Sequence, residues 1–524
     1  MSLAELHMGP LRTARRRATD PRLWVFLGLT AALSGGLVVA VAEGMADWGG
    51  PSGLALGLAT ISALWISGGA VTAVLGLMQP EDPRAEVPEA WRPRGATAIL
   101  VTLCGEPAAP VARRLADLRR GLERLGLSAE TRIFVLSDTA GDDRIAAEEE
   151  ALAPLAEAGV LSYRRRAVNT GRKPGNIADW LAAEGEAHAY MLVLDADSRM
   201  TADRVRRLIH RIDTRPRTGL VQAGMTLVPG QSVFGRHQRL SSRLLSPNFG
   251  RGLAAWSGEA GNYWGHNAIM RVAAFRAAAD LPVLSGRAPF GGAPLSHDFV
   301  EAAWIRRAGW AVELDADATG SAEDGPQTLA EFHRRDRRWC QGNLQHIRLL
   351  GAPGLDPVSR LHLASGIIGY LAAPIWLVLV TLTASGAVTV SGVLPVILIA
   401  LVLLLPKLCA LAVWLPRART EARRQVILRA SLAELALSTV VAPLVMVRQT
   451  GAVASVLMGR DCGWKSSTAP RFGLPRGVPE LGVGLSLFAL AALSGPAPAI
   501  WWMVPVALPL SCAPLILPAL DAAA

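Results

Sequence analysis

Several short stretches hold residue types from which a transfer site for charged substrates can be built. Asp138 ends the apolar run IFVLSD, and Asp195 and Asp197 end MLVLDAD. In an extended chain positions i and i+2 face the same way, so Asp195 and Asp197 can act on one ligand where a strand ends. Paired hard carboxylates suit Mg2+ or Mn2+, with a diphosphate completing the coordination shell. The bland reading of the same pair is two loop carboxylates capping a helix. Lys173 lies in NTGRKPGNIADW and is one of only three lysines, with Lys407 and Lys465, among 53 basic residues. A loop with Gly171, Lys173 and Gly175 ahead of a helix can cradle phosphate through backbone N–H groups and an ammonium; it can also be an ordinary surface loop.

Further along, LSHDFVEAAWIRRAGW places Asp298 and Glu301 at the spacing of a helix N-cap and its third residue. The same spacing allows one carboxylate to serve as a general base aimed into a site from a helix start. YWGHNAIMR carries His266 and Asn267, polar groups suited to holding sugar hydroxyls. The densest polar block is RRDRRWCQGNLQH, residues 334–346. Leu329, Phe332, Trp339, Leu344 and Ile347 roughly share one side of a helix there, with Arg335 and Arg338 three apart. Arginines alone would suit the flank of a membrane helix. Trp339, Gln341, Asn343 and Gln345 are more than a flank requires, and point to binding of a polar ligand.

These residues need a scaffold, and the chain supplies two kinds. Between residues 80 and 360 strands and helices alternate: ATAILVTLCGE, the amphipathic VARRLADLRRGLERLG, TRIFVLSD, then AYMLVLDAD. Alternation of this kind predicts a mostly parallel sheet with ligands at the carboxyl ends of its strands. On both sides lie runs near the roughly 20 apolar residues that span a bilayer. They occupy 23–43, 54–78, 363–385, 391–415, 479–495 and 498–519. Arginine-rich connections predict three out-and-back pairs with the large domain cytoplasmic. The run 429–458 has basic residues on both flanks and is read as an interfacial or re-entrant helix, with a seventh crossing as the alternative. The expected organisation is therefore a membrane pair in 1–79, an α/β domain in 80–328, an interfacial helix in 329–350, a membrane pair in 351–425, an interfacial helix and loop in 426–477, and a last pair in 478–524. Lys407, inside an apolar run, is expected to line a polar channel or to snorkel to the surface.

Composition narrows the chemistry. The 524 residues are 51% hydrophobic with a formal net charge of +10. Without a basic tail or a nucleic-acid-binding module, that charge suits anionic lipid or a phosphorylated substrate and argues against nucleic acid. Five scattered cysteines, with no CxxC pair, argue against a disulfide framework or a zinc site.

Taken in order, Asp138, the Asp195–Asp197 pair, Asp298 and Arg335-Asp336-Arg337-Arg338-Trp339 resemble the motif set of processive family-2 glycosyltransferases of the cellulose and hyaluronan synthase type. GHNAIMR, LSHDFVEAAWIRRAGW and RRDRRWCQGNLQH most resemble the glucans biosynthesis glucosyltransferase H family, over about residues 90–475. Gly105 stands where relatives often have Asn before Glu106. The resemblance implies an α/β GT-A domain, mostly parallel and cytoplasmic, inserted in an α-helical multi-pass domain of the bacterial inner membrane. It implies glucose transfer from UDP-glucose with inversion, processively building a β-glucan backbone, β-1,2 by likeness, for osmoregulated periplasmic glucans exported as they grow. It also implies roles: Asp298 as base; Asp197 with Asp195 on a divalent metal, Mg2+ or Mn2+; Glu106, Asp138, Lys173, Asp195, Arg335 and Arg338 around the nucleotide sugar. Trp339, His266 and Asn267 would face the acceptor glucan, and Trp464 and Lys465 would belong to a gating loop. Acyl carrier protein as a partner rests on the likeness alone. Two other readings are a transferase that adds one sugar to a lipid carrier, and a transporter, which would need no Asp195–Asp197 pair.

Overall fold

The structure is a computed structural model that describes residues 20–46, 48–80, 86–278, 280–462, 476–495 and 499–523. Two long apolar helices come first, α1 (Pro21–Gly44) and α2 (Gly50–Met78). The α/β domain then runs β1 (Thr97–Leu103), α3 (Ala108–Arg124), β2 (Thr131–Ser137), α4 (Asp142–Glu157), β3 (Ser162–Arg165), α5 (Arg172–Glu184), β4 (Tyr190–Asp195), β5 (Arg199–Met200), α6 (Ala202–Thr214), β6 (Thr218–Ala223) and β7 (Thr226–Leu227). It continues with α7 (Val233–Ser257), β8 (Ala268–Arg271), α8 (Val272–Arg276), α9 (His297–Arg307), β9 (Ala311–Asp315), β10 (Ser321–Glu323) and α10 (Leu329–Gln345).

Seven strands form one sheet in the order β3-β2-β1-β4-β8-β6-β9. Its only antiparallel member among the described residues is β8, between β4 and β6. The alternation of strand and helix explains the parallel part: each crossover returns a strand to the same direction. Both faces are covered, as a parallel sheet requires. Ala98, Leu100, Met191 and Val193 pack with α5, α8 and α9. Ile99, Val101, Leu192 and Leu194 pack with α3, α4 and α6. Strands β5, β10 and β7 form a small second sheet.

After α10 come α11 (Pro357–Ala384), α12 (Leu394–Trp414), α13 (Glu421–Leu457), α14 (Val478–Leu493), α15 (Ala499–Ser511) and α16 (Ala513–Asp521). By length and composition α1, α2, α11, α12 and α13 can each cross a membrane. The expected third pair differs. α14 has only 16 residues, and the following run is broken into α15 and α16, bent by 59°. Pro505, Pro509, Pro514 and Pro518 interrupt that run, and prolines remove the hydrogen bonds a straight helix needs. The stretch 429–458, expected along the surface, falls in the 37-residue α13 and its C-cap Met458, and α13 meets the length and composition of a span. Its charges explain the difference: Glu434 is buried against Lys407 and Ser241, and Arg448 pairs with Glu480 at 2.6 Å. Lys407 thereby joins α12 to α13 through Glu434.

One helix of the α/β domain, α7, packs against the apolar helices. At its crossing with α2, a Cβ on Gly252 would lie 1.8 Å from the Thr72 carbonyl oxygen, and one on Gly76 would lie 2.0 Å from that of Asn248. The Asn248 amide donates to the Ala73 carbonyl at 2.7 Å, and the Trp256 indole to the Thr72 hydroxyl at 3.2 Å. Only glycine permits this approach. Gly252→Leu is expected to separate the helices at a cost of about 1–3 kcal/mol or more, seen as a lower unfolding temperature of the purified protein.

Candidate active site

Parallel strands bring their carboxyl ends to one edge, and the register fixes which residues meet there. Leu103 lies beside Ser137 and Thr102 beside Asp195, so Asp138 and Asp195 emerge together at the tips of neighbouring strands. Asp138 is almost fully buried, and both its oxygens accept from Arg166, from Nε at 2.7 Å and Nη2 at 2.9 Å. Arg166 also donates to Asp179 and to the Thr170 and Arg172 carbonyls. The expected nucleoside contact thus comes with a bidentate arginine that the sequence did not single out. Glu106 accepts from the Cys104 backbone N–H and closes the turn after β1.

Lys173 is not in a loop, as expected, but in the first turn of α5, which starts at Arg172 after Gly171 in the left-handed region (φ 68°). From there its ammonium donates to Asp195 and, at 2.6 Å, to the Gly265 carbonyl. Burial alone would raise the Asp195 carboxyl, but Lys173 and then His266 hold it down at about 2. Gly265, at φ +89°, backs directly onto Asp298; a Cβ there would meet Asp298 Oδ2 at 3.4 Å. One lysine thus ties the β4 tip to the segment that supports Asp298.

The expected capping arrangement at Asp298 is not formed. Ser296 occupies the N-cap position without a side-chain bond, and Glu301 instead accepts from His297 Nδ1 at 3.0 Å. Asp298 is left without a capping partner in the first helical turn. Burial pushes its carboxyl up to about 6, with Glu301 adding to the rise and His297 opposing it. Such a group is a base matched to near-neutral pH.

A further carboxylate joins the site. Glu323, at the end of β10, lies 3.2 Å from His266 Nε2. Burial raises it to about 7, with Asp197 and Asp195 adding to the rise and Arg335 opposing. The sequence offered little to find it, because SAEDG carries no apolar run and β10 is three residues long. Asn267, expected to hold acceptor hydroxyls, is fully buried at φ +51°, and its amide donates to Ser321 at 3.3 Å. It holds β10 against β8 rather than facing the pocket.

Asp197 is half-buried, and burial followed by the nearby Asp195 raises its carboxyl. Across the site, burial followed by Arg335 pulls Arg338 down from the usual arginine range. Each charge sits where its own sign is crowded. Among the described residues no three His, Cys, Asp or Glu side chains are arranged to close on a metal ion. The donors present are hard oxygens, which suits a cation held by one or two carboxylates plus substrate phosphates.

Helix α10 lies over this pocket. Arg335 stacks on Trp339 at 5.0 Å and acts electrostatically on Asp197 and Glu323. Trp339 is 48% exposed and Ile347 is exposed too, so the side they share with Leu329, Phe332 and Leu344 is not buried throughout. Buried on this helix are Leu329, Cys340 and Leu344, together with Asp336, which accepts from the Tyr370 hydroxyl at 3.0 Å, and the amides. These amides do not point into a ligand site. Gln341 donates to the Pro289 carbonyl and accepts from the Cys462 N–H at 2.8 Å. Asn343 donates to the Trp339 carbonyl, and Gln345 accepts from the Leu295 N–H at 2.9 Å. His346 Nε2 donates to the Ser296 carbonyl at 3.0 Å. The block pins residues 289–296, the run that leads into Asp298. Gln345→Ala is expected to free that run at about 1–2 kcal/mol. The readouts are faster hydrogen exchange over 284–296 and a several-fold lower kcat with unchanged donor KM. Trp464 and Lys465 lie outside the described residues, just beyond Cys462.

Comparison with known proteins follows the same lines. Residues 99–278 match the model of glycosyl transferase family 2, and residues 190–416 that of glycosyl transferase family group 2. A glucans biosynthesis glucosyltransferase H from Rhodopseudomonas palustris (strain TIE-1) is 41% identical over 402 residues, 70% of this chain and 55% of that protein. The chain thus spans about half the length of that relative. A protein of the same name from Cereibacter sphaeroides is 37% identical over 88% of this chain and 83% of its own length. One from Xanthomonas campestris pv. campestris (strain B100) is 37% identical over 87% and 77%. Among solved structures, the mannosyltransferase PcManGT from Pyrobaculum calidifontis, in complex with GDP-Man and Mn2+, aligns with 80% of this chain and 98% of that one, at 15% identity and a TM-score of 0.42.

Proposed function

The chain belongs to the glucans biosynthesis glucosyltransferase H family, and we propose on that premise that it polymerises a β-glucan backbone from UDP-glucose and passes it across the inner membrane. The linkage we propose is β-1,2, with the α/β domain on the cytoplasmic side. The observation that carries the reading is the chain of contacts from Asp195 through Lys173 and Gly265 to Asp298, with Asp197 beside Asp195 and Arg335 acting on Asp197 from α10. A nucleoside diphosphate paired with a cation would bring positive charge to Asp197 and negative charge to Arg335 and Arg338. The divalent metal, Mg2+ or Mn2+, would sit on Asp197 beside Asp195 with diphosphate oxygens, and would supply charge neutralisation for the departing diphosphate.

The chain's own residues account for the rest of the reaction. Asp138 and its Arg166 partner, with Glu106 behind the β1 turn, hold the nucleoside end. Arg335 and Arg338 offer positive charge where the diphosphate leaves. Trp339 presents an aromatic face to the acceptor pyranose. Asp298 accepts the acceptor hydroxyl proton as that oxygen attacks the anomeric carbon in line and the C–O bond to the diphosphate breaks. Lys173 keeps Asp195 ionised and steadies the Gly265 turn behind Asp298. Acyl carrier protein remains a proposed partner on family likeness alone.

The test is the purified protein in lipid, given labelled UDP-glucose, other UDP-sugars and each divalent metal in turn. Chains of many residues with one linkage type are expected from UDP-glucose. A product of one sugar per lipid would overturn polymerisation, and equal use of other UDP-sugars would overturn donor choice.

A further inference from the structure

A cavity of about 1080 Å3 lies away from the site just described. On one side it is lined by the ends of three apolar helices: Asp20 and Arg22 at the start of α1, Gln79 just past α2, and Trp414 at the end of α12. The opposite wall is β9 and the turn at 316–320. Where three candidate spans end together, the apolar slab gives way to the headgroup layer, a level at which Trp and Arg collect. Trp414 fits that level: its indole donates to the Leu244 carbonyl at 3.1 Å, and Arg417 lies 5.6 Å over its ring.

The carboxylates in the cavity wall are already engaged. Glu313 is held by Arg211 and Arg215, Asp315 and Asp317 by Arg204, and Glu259 by Arg217 and Arg306. Asp20 accepts from the Arg22 N–H at the start of α1. Facing them from α7 are Arg239 and Arg243, four residues apart and so on one side of the helix. Among the described residues neither has a carboxylate within ion-pair distance, and Arg239 Nε is buried without a hydrogen-bond partner. Guanidinium forks in this state fit phosphate oxygens. Among the described residues Trp414 is the only aromatic side chain in the wall, and Arg417 lies over its ring, so these residues offer no open platform for a nucleobase.

We propose that this cavity binds the phosphorylated headgroup of an anionic lipid, with Arg239 and Arg243 on the phosphate and the acyl chains against the ends of α2 and α12. The occupied wall continues into the active-site floor: Thr226 in the wall pairs with Ala322, next to Glu323. The lipid would therefore steady the small sheet under the pocket. The proposal does not depend on which sugar is transferred.

The test reads retention of phosphatidylglycerol by the full-length protein in native mass spectrometry, after reconstitution in phosphatidylcholine vesicles containing phosphatidylglycerol. Arg239→Gln with Arg243→Gln is expected to lower retention about tenfold or more. Lysine at both positions should retain more than glutamine, because charge remains while the fork is lost. Arg236→Gln, exposed on α7 outside the cavity, should change nothing. Equal retention by the wild type and the double glutamine variant would overturn the proposal. So would an equal loss in Arg236→Gln, which would mark general surface charge, or glycerol phosphate displacing the lipid at matched concentration, which would mark a soluble ligand. The unfolding temperature of the exposed Arg243→Gln variant alone checks that the fold is intact.

Discussion

Asp298→Asn is expected to lower sugar transfer by about 10²- to 10⁴-fold, the usual range for loss of a positioned general base. The amide keeps the shape of the carboxyl and its place in the first turn of α9, so donor KM should change little. The wild type supplies a second readout. Burial holds the Asp298 carboxyl at about 6. The base is active only when ionised, so kcat should be level above pH 7 and fall through about pH 6 as the group takes a proton. In Asp298→Asn the residual rate should lack that limb. Stability moves the other way. A carboxyl whose folded pKa is raised disfavours the folded state once pH exceeds its unfolded value near 4, fully so above about 6. At pH 7 the neutral amide removes that cost, so the variant should unfold at a higher temperature than the wild type. A variant that is inactive and less stable would mean that Asp298 holds α9 together rather than doing chemistry. Retained activity would end its assignment as base.

The sequence made part of this arrangement visible and hid the rest for physical reasons. Strand tips were readable because β1, β2 and β4 are buried on both faces, so each is an apolar run whose polar end stands out. Asp138 and Asp195 come from such ends. Glu323 was hidden because β10 has three residues and pairs only at the rim. The amides of residues 341–345 were visible as unusual, but amides bond to backbone as readily as to sugar. Only the loop at 289–296, distant in sequence, shows which they do. Asp298 was visible, yet its capping geometry was misplaced by two residues because Asp and Ser both suit a helix start. α13 was read as a surface helix, with a crossing as the alternative, because its charges suggested contact with water. A buried Glu434 beside Lys407 instead compensates them within the bundle. Interior pairs of this kind cannot be seen in the spacing of residues that lie on different helices.

Asp197→Asn and Asp195→Asn should both disable the enzyme, but in different ways. Asp197 is raised by burial and by Asp195, and its electrostatic partner is Arg335 on another element. Removing its charge relieves crowding, so Asp197→Asn should fold at least as well as the wild type. Its rate should drop about 10²- to 10³-fold, as when a fixed charge is withdrawn from a developing leaving group. Donor affinity should become insensitive to added divalent metal. Asp195 is instead the partner of Lys173, whose ammonium also donates to the Gly265 carbonyl. Asparagine there leaves a half-buried cation without its anion. Asp195→Asn should therefore lose stability as well as rate, and the Gly265 turn behind Asp298 should loosen. Pairing it with Lys173→Met should recover stability, since removing both members of an ion pair costs less than removing one, while activity stays lost. Thermal unfolding of the four proteins, read beside their rates, separates the two carboxylates. If Asp197→Asn kept its rate within about tenfold of the wild type, the metal and diphosphate reading of the pair would fail. Equal destabilisation by both single variants would show that Lys173 does not distinguish them.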